Sequence, residues 1–141
     1  MSPSTAEERL RAGLRHCSEM SKALSDLQAQ VEDASSLRPV IHAVGAILGW
    51  FDFQLLRPIE REHPELVGWS TADRDWSPES ASVSTLADAF EACDRAVANS
   101  LDVAQFIAGD ASLSLGARAE LDRLVLEYQS VGRAARRNGA A

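Results

Sequence analysis

One apolar stretch constrains the fold of this chain more than any other feature. It runs from Leu37 to Ile59 and reads LRPVIHAVGAILGWFDFQLLRPI. Between Val40 and Leu56 the strongly polar side chains are only three, namely His42, Asp52 and Gln54. Apolar residues recur there at helical spacing and also fill other faces, so the pattern predicts a helix that other segments surround.

The same stretch raises the question of a membrane span. Asp52 and the flanking Arg38 and Arg57 shorten the uninterrupted apolar run below the roughly 20 residues that a span needs, so we expect no membrane insertion. Gly45 and Gly49 form a GxxxG spacing, which allows another helix to approach closely. Because this helix has more apolar faces than one small bundle can cover, we expect either a homodimer through the 40–56 helix or coverage of the excess by a loop of the same chain.

The rest of the chain predicts an all-α fold. We expect a four-helix, mostly antiparallel bundle in a single domain, with helices at about 5–33, 37–62, 78–108 and 113–137. Ser35 or Ser36 is expected to cap the second helix, and Pro58 to kink or stop it. Ser77 or, alternatively, a cap at Ser84 or Thr85 would begin the third helix. A long loop at 64–77 would contain Trp69 and Trp76.

The charge is distributed unevenly along the chain. Residues 65–110 contain nine acidic residues against two arginines, which accounts for the whole net charge of −7. On the third helix, Asp88, Glu91, Asp94 and Asp102 fall away from the apolar stripe, so we expect them to face solvent. Direct nucleic-acid binding is not expected, because it requires clustered Lys and Arg.

An acidic surface next to large aromatic residues is typical of a protein that binds a basic partner. The loop either covers the core with its tryptophans or presents them to a partner, where tryptophan is enriched. The predicted partner-binding residues combine this loop and the third helix, namely Trp69, Asp73, Asp75, Trp76, Asp88, Glu91, Asp94 and Asp102. The sequence thus favours a non-catalytic inhibitor, immunity or adaptor protein that binds a basic protein.

We expect neither a metal nor a cofactor. Glu60 and His63 have the Glu-x-x-His spacing of di-iron bundles, but the second copy and the two further inward-facing glutamates are missing. Cys17 and Cys93 belong to no CxxC pair, and the first thirty residues contain no apolar signal segment. A cytoplasmic location is the expectation that follows.

His42 supports an alternative function. It lies on a predicted bundle helix beside small residues, namely Ala43, Gly45, Ala46 and Gly49. This arrangement loosely resembles histidine phosphotransfer domains, in which an exposed histidine is phosphorylated. Ala46 stands at the fourth position after the histidine, where those domains usually carry glycine, and Lys22 is the only lysine. The resemblance implies a signalling protein that uses His42.

Overall fold

A computed structural model describes residues 3–66, 85–109 and 113–139. The prediction of an all-α fold is confirmed, since every regular element in these ranges is helical. Trp69, Asp73, Asp75, Trp76 and most of the expected 64–77 loop lie outside the described residues.

The first half contains two long helical segments. Helix α1 spans Pro3–Ala29, and a 3-10 turn at Ala34–Leu37 leads into α2, Arg38–Phe51. The side chain that caps this turn is Asp33 rather than Ser35 or Ser36, because its carboxylate accepts a hydrogen bond from the Ser35 N–H at 3.0 Å. Helix α1 ends at Ala29, four residues before the expected end at position 33.

The second segment continues past Pro58. A π-helical turn at Asp52–Leu56 follows α2, and α3 then covers Arg57–Glu62, with a 3-10 turn at Pro64–Leu66 beyond it. The Arg57 N–H bonds to the Asp52 carbonyl, five residues back. This wider turn precedes the proline, whose ring would crowd a regular α-helical turn, so the helix passes Pro58 without stopping.

The second half also contains two segments. Helix α4 spans Leu86–Ala98 and begins at Thr85, whose hydroxyl accepts from the Asp88 N–H at 3.1 Å. Helix α5, Ser100–Ala108, follows directly after Asn99 and ends at Gly109. Helix α6 spans Leu115–Gly139, and its first turn is capped by Ser114, which accepts from the Ala117 N–H at 3.1 Å.

The four segments contact one another in a ring around one core. Helix α1 packs on α2 and on α4 and α5, while α6 packs on the other side of α2, α4 and α5. Trp50 of α2 is buried, and its indole N–H donates to the Ala117 carbonyl of α6 at 3.1 Å. The largest side chains of the shared core are fully buried, namely Leu10, Met20, Leu27, Phe51, Phe90 and Tyr128.

The exposed side of α2 is made mostly of small residues. Val40, Ala43, Val44, Ile47 and Trp50 are buried. Gly45, Ala46 and Gly49 are exposed instead, and a Cβ atom added at either glycine would meet no atom within 4 Å. Among the described residues, therefore, no other helix approaches the GxxxG positions. Phe53, one turn later, is 61% exposed.

Candidate interaction surface

The outer side of α4 and α5 presents a row of acidic residues. Buried residues recur every three or four positions across both helices, namely Phe90, Cys93, Val97, Ser100, Ala104 and Ile107. This register continues through Asn99, so the positions on the opposite side form one continuous outer face. Asp88, Glu91 and Asp102 lie there, together with Phe106. We call these four residues the acidic face.

The carboxylates of the acidic face are exposed and form no ion pair within the described part of the chain. No described side chain lies within ion-pair distance of Asp88, Glu91 or Asp102. Arg95 is exposed between them, and Phe106 is 49% exposed one turn after Asp102. The face thus combines a local negative potential with an accessible aromatic ring.

Asp94 differs from the expectation that it faces solvent. It is half-buried, accepts a hydrogen bond from the Tyr128 hydroxyl at 2.9 Å and forms an ion pair with Arg136. The Arg136 guanidinium also lies over the Phe90 ring, 4.9 Å from its centroid. These contacts join α4 to α6. Because they compensate the charge of Asp94 within the chain, this residue does not belong to the acidic face.

His42 is exposed on α2. It lines a groove of about 370 Å³ between α2 and α6, together with Arg38, Ala46 and Glu127. Arg38 lies one helical turn before His42 on the same side. The exposed Gly45 and Gly49 flank this position and leave the imidazole accessible from outside.

A buried polar pair links α1 to α5 and was missed in the sequence. His16 is 2% exposed and Ser100 is fully buried, with His16 Nε2 lying 3.0 Å from Ser100 Oγ. Burial lowers the pKa of His16 to about 4, so the imidazole is neutral at pH 7. Because both side chains are buried, a substrate cannot reach them. Their contact instead links α1 to α5.

Glu60 lies on α3 and His63 directly after its end. The described residues contain no cluster of three or more metal-ligating side chains. His63 Nδ1 lies 3.2 Å from Glu65 Oε1, and its buried Nε2 has no hydrogen-bond partner among the residues that the structure describes. Burial, reinforced by Asp52, raises the pKa of Glu60.

Both cysteines are free thiols. Burial raises the pKa of Cys17 and of Cys93 to about 12, so neither thiol ionises near pH 7.

No family model, curated protein or solved structure matches this chain. Within the described residues, the segment at 35–62 is long and apolar enough to cross a membrane, with a mean hydropathy of 1.4 over its most apolar window. Of that window, 44% is buried inside the fold, and core helices share this length and composition.

Proposed function

We propose that this chain is a non-catalytic interaction protein of the inhibitor, immunity or adaptor type. It binds a basic protein partner through the acidic face, acts in the cytoplasm and contacts neither nucleic acid nor membrane directly. Its ring of helices acts as a mostly antiparallel four-helix bundle that holds this face rigid. The observation that carries the proposal is the grouping of three exposed carboxylates, which pair with no described side chain, and Phe106 on one outer face.

The physical argument depends on how such a face behaves in water. Unpaired exposed carboxylates contribute little to folding, but they create a potential that attracts and orients a basic partner. Aromatic residues are enriched in the centre of interfaces, where their burial supplies binding energy. The acidic face therefore provides both steering and an anchor.

Capture from lysate of the source cell tests the proposal. The immobilised protein is washed at low and at high salt, and retained proteins are identified by mass spectrometry. We expect a partner with a basic surface that high salt releases, because salt screens contacts between exposed charges. A variant with Asp88→Asn, Glu91→Gln and Asp102→Asn should lose this partner.

A second triple variant controls for net charge. Glu32→Gln, Glu120→Gln and Asp122→Asn remove the same three charges from exposed positions outside the acidic face. This control should retain the partner. Equal loss in both variants would show that total charge, not this face, governs binding, and retention in both would contradict the proposal.

A second function is favoured by the position of His42. Its imidazole is exposed in the groove with Arg38, whose guanidinium can neutralise a phosphoryl group. We infer as the alternative that His42 accepts a phosphoryl group in signalling. A ring nitrogen attacks the phosphorus of a donor, the bond to the donor's leaving group breaks, and the imidazole then loses its proton.

Phosphoramidate is a suitable probe for this alternative, because ammonia is its leaving group. The full chain should gain one acid-labile, base-stable phosphoryl group, detected by mass spectrometry. His42→Gln should abolish the gain, while His63→Gln and the triple variant of the acidic face should preserve it. Unchanged labelling of His42→Gln would rule out this residue as the acceptor.

A further inference from the structure

A groove between α4 and α6 brings charged, polar and apolar side chains together. Its volume is about 330 Å³, near the lower end of the range for ligand pockets. Val97 and Ala98 of α4 form its apolar wall, and Gln129 and Arg133 of α6 line the other side. The two apolar side chains lie beside several polar and charged ones, a combination that suits a small ligand with one charged end and a short apolar tail.

Two guanidinium groups line this groove. Arg133 and Arg136 are three positions apart on one side of α6, with Gln129 one turn before Arg133. Arg136 is held in place by its ion pair with Asp94. Arg133 makes no ion pair with any side chain that the structure describes. One planar donor group is thus fixed and the other is free to bind an anion.

The charge in the groove defines the ligand class. Arg133 and Arg136 supply two positive charges and Asp94 one negative charge, so the lining retains one positive charge. The Tyr128 hydroxyl adds no charge and donates to Asp94, which directs it away from the ligand. A carboxylate has the matching single charge, and its two oxygens fit the parallel donors of a guanidinium.

We propose that this groove binds a monocarboxylate with a short apolar tail. The carboxylate pairs with Arg133, supported by Arg136 and the Gln129 amide, while the tail lies against Val97 and Ala98. This inference does not depend on the proposed partner, because the acidic face occupies the outer side of α4 and α5. It also explains why an otherwise unpaired arginine lies beside an apolar wall.

Hexanoate is the probe for the proposal. It is titrated into the uniformly ¹⁵N-labelled full chain while amide chemical shifts are recorded. We expect saturable shifts at residues 97, 98, 129 and 133 with a Kd on the order of 1 mM. Hexanamide, which has the same shape without the charge, should produce no saturable shift. Equal binding of hexanamide, or no saturation with hexanoate, would overturn the proposal.

Two matched variants locate the charge contact. Arg133→Gln should weaken hexanoate binding by about tenfold, equivalent to ~1.4 kcal/mol. Arg137→Gln removes the same charge from an exposed position outside the groove and should change the Kd less than about twofold. An equal effect of both variants would show non-specific attraction. Tighter binding of hexyl phosphate than of hexanoate would overturn the assignment to a carboxylate.

The carboxylate belongs either to a free small acid or to the end of a polypeptide. An acetylated tetrapeptide that ends in leucine is therefore titrated as its free acid and as its amide. Tighter binding of the peptide acid than of hexanoate would assign the groove to a chain terminus. Weaker binding of the peptide acid would assign it to a free acid, and binding of the peptide amide as tight as that of the acid would contradict the charge contact.

Discussion

His16 is the residue whose surroundings should be most visible in solution experiments. Its ring is buried, lies 4.9 Å from the Phe51 ring between centroids, and has a pKa lowered to about 4 by burial. Well above pH 6.5 the imidazole is neutral in both the folded and the unfolded state and does not change stability. Between pH 6.5 and 4 the unfolded chain binds a proton that the folded chain excludes, so folding becomes weaker as the pH falls.

The expected loss is about 2 kcal/mol of unfolding free energy between pH 7 and pH 5, and about 3 kcal/mol by pH 4. Urea denaturation at these pH values measures it. His16→Gln should remove most of this pH dependence, whereas His42→Gln, at an exposed position, should retain it. A pH dependence that survives in His16→Gln would place the responsible group elsewhere.

Asp94 provides a second test at the residue scale. Asp94→Ala removes the acceptor of the Tyr128 hydroxyl and the ion-pair partner of Arg136. We expect a loss of about 1–2 kcal/mol of unfolding free energy, measured by urea denaturation, because both contacts are only half-buried. Glu91→Ala, on the same helix but exposed, should change stability by no more than about 0.5 kcal/mol. Similar effects of the two substitutions would contradict the structural role of Asp94.

The pairing of Asp94 shows where local sequence patterns stop being informative. Its spacing from Phe90 and Val97 places it between the buried and exposed sides of α4, but its partners lie 34 and 42 residues away. No local period reveals such a pairing. His16 was missed for a related reason. The helical period could have shown that His16 shares the buried side of α1 with Met20, one turn later. It could not have shown the partner Ser100, which lies 84 residues away.

At the scale of single helices, replacing the glycines of α2 should have the opposite effect on stability from replacing Gly13 of α1. Gly45 and Gly49 lie inside a helix with open space around them, so alanine should fit without strain. Each Gly→Ala change should raise the unfolding free energy by about 0.5–1 kcal/mol, because alanine favours the helix. Gly13→Ala should lower it by about 1–3 kcal/mol, since its Cβ would collide with Leu56 of the π-helical turn.

Denaturation at two protein concentrations completes this test. If the chain is a monomer, the gain from Gly45→Ala and Gly49→Ala should not depend on concentration. If these substitutions instead lower stability, and do so more at high than at low protein concentration, a second copy packs on this side of α2 as in the expected homodimer. The described residues leave Phe53 and these glycines uncovered, and the homodimer stays a prediction.

Gly109 terminates α5 with a backbone conformation that favours glycine. Its φ is 60° and its ψ is −132°, a region that side chains rarely allow. Gly109→Ala should lower the unfolding free energy by about 1–3 kcal/mol in urea denaturation. A Cβ atom added at Gly116 would meet no described atom within 4 Å, so Gly116→Ala should leave the unfolding free energy unchanged or slightly raised.

The Arg9 guanidinium also lies where a Cβ atom added to Gly109 would be placed. The backbone explanation therefore needs a background without this side chain. In Arg9→Ala, the change Gly109→Ala should still lower the unfolding free energy. If the loss disappears there, crowding and not the backbone is responsible.

The helical segments were predictable to different degrees. Apolar spacing of three and four positions identified all four, because this period is a property of each helix alone. The expected range 37–62 already passed Pro58, but the π-helical turn before the proline was not predictable, because one wider turn leaves no signal in this period. The small-residue side of α2 was visible in the sequence, whereas the absence of a neighbour among the described residues required the fold.

For the whole molecule, the shared core has a consequence for unfolding. Fully buried residues from different segments form one cluster, with Leu27 from α1, Phe51 from α2, Phe90 from α4 and Tyr128 from α6. Each segment therefore buries its apolar side only against the others. We expect the described helices to unfold in one cooperative transition and not one by one.

Three probes test this cooperativity in urea. Trp69→Phe and Trp76→Phe leave Trp50 as the single tryptophan, so its fluorescence reports the contact of α2 with α6. Tyr128 is the only tyrosine, so near-ultraviolet circular dichroism at its band reports the contact of α6 with α4. Far-ultraviolet circular dichroism reports total helix. All three should give the same midpoint, because no segment retains a core after another has left. A fluorescence midpoint below the far-ultraviolet midpoint would show that α2 and α6 separate while other helices stay folded, which a ring of mutually dependent helices does not allow.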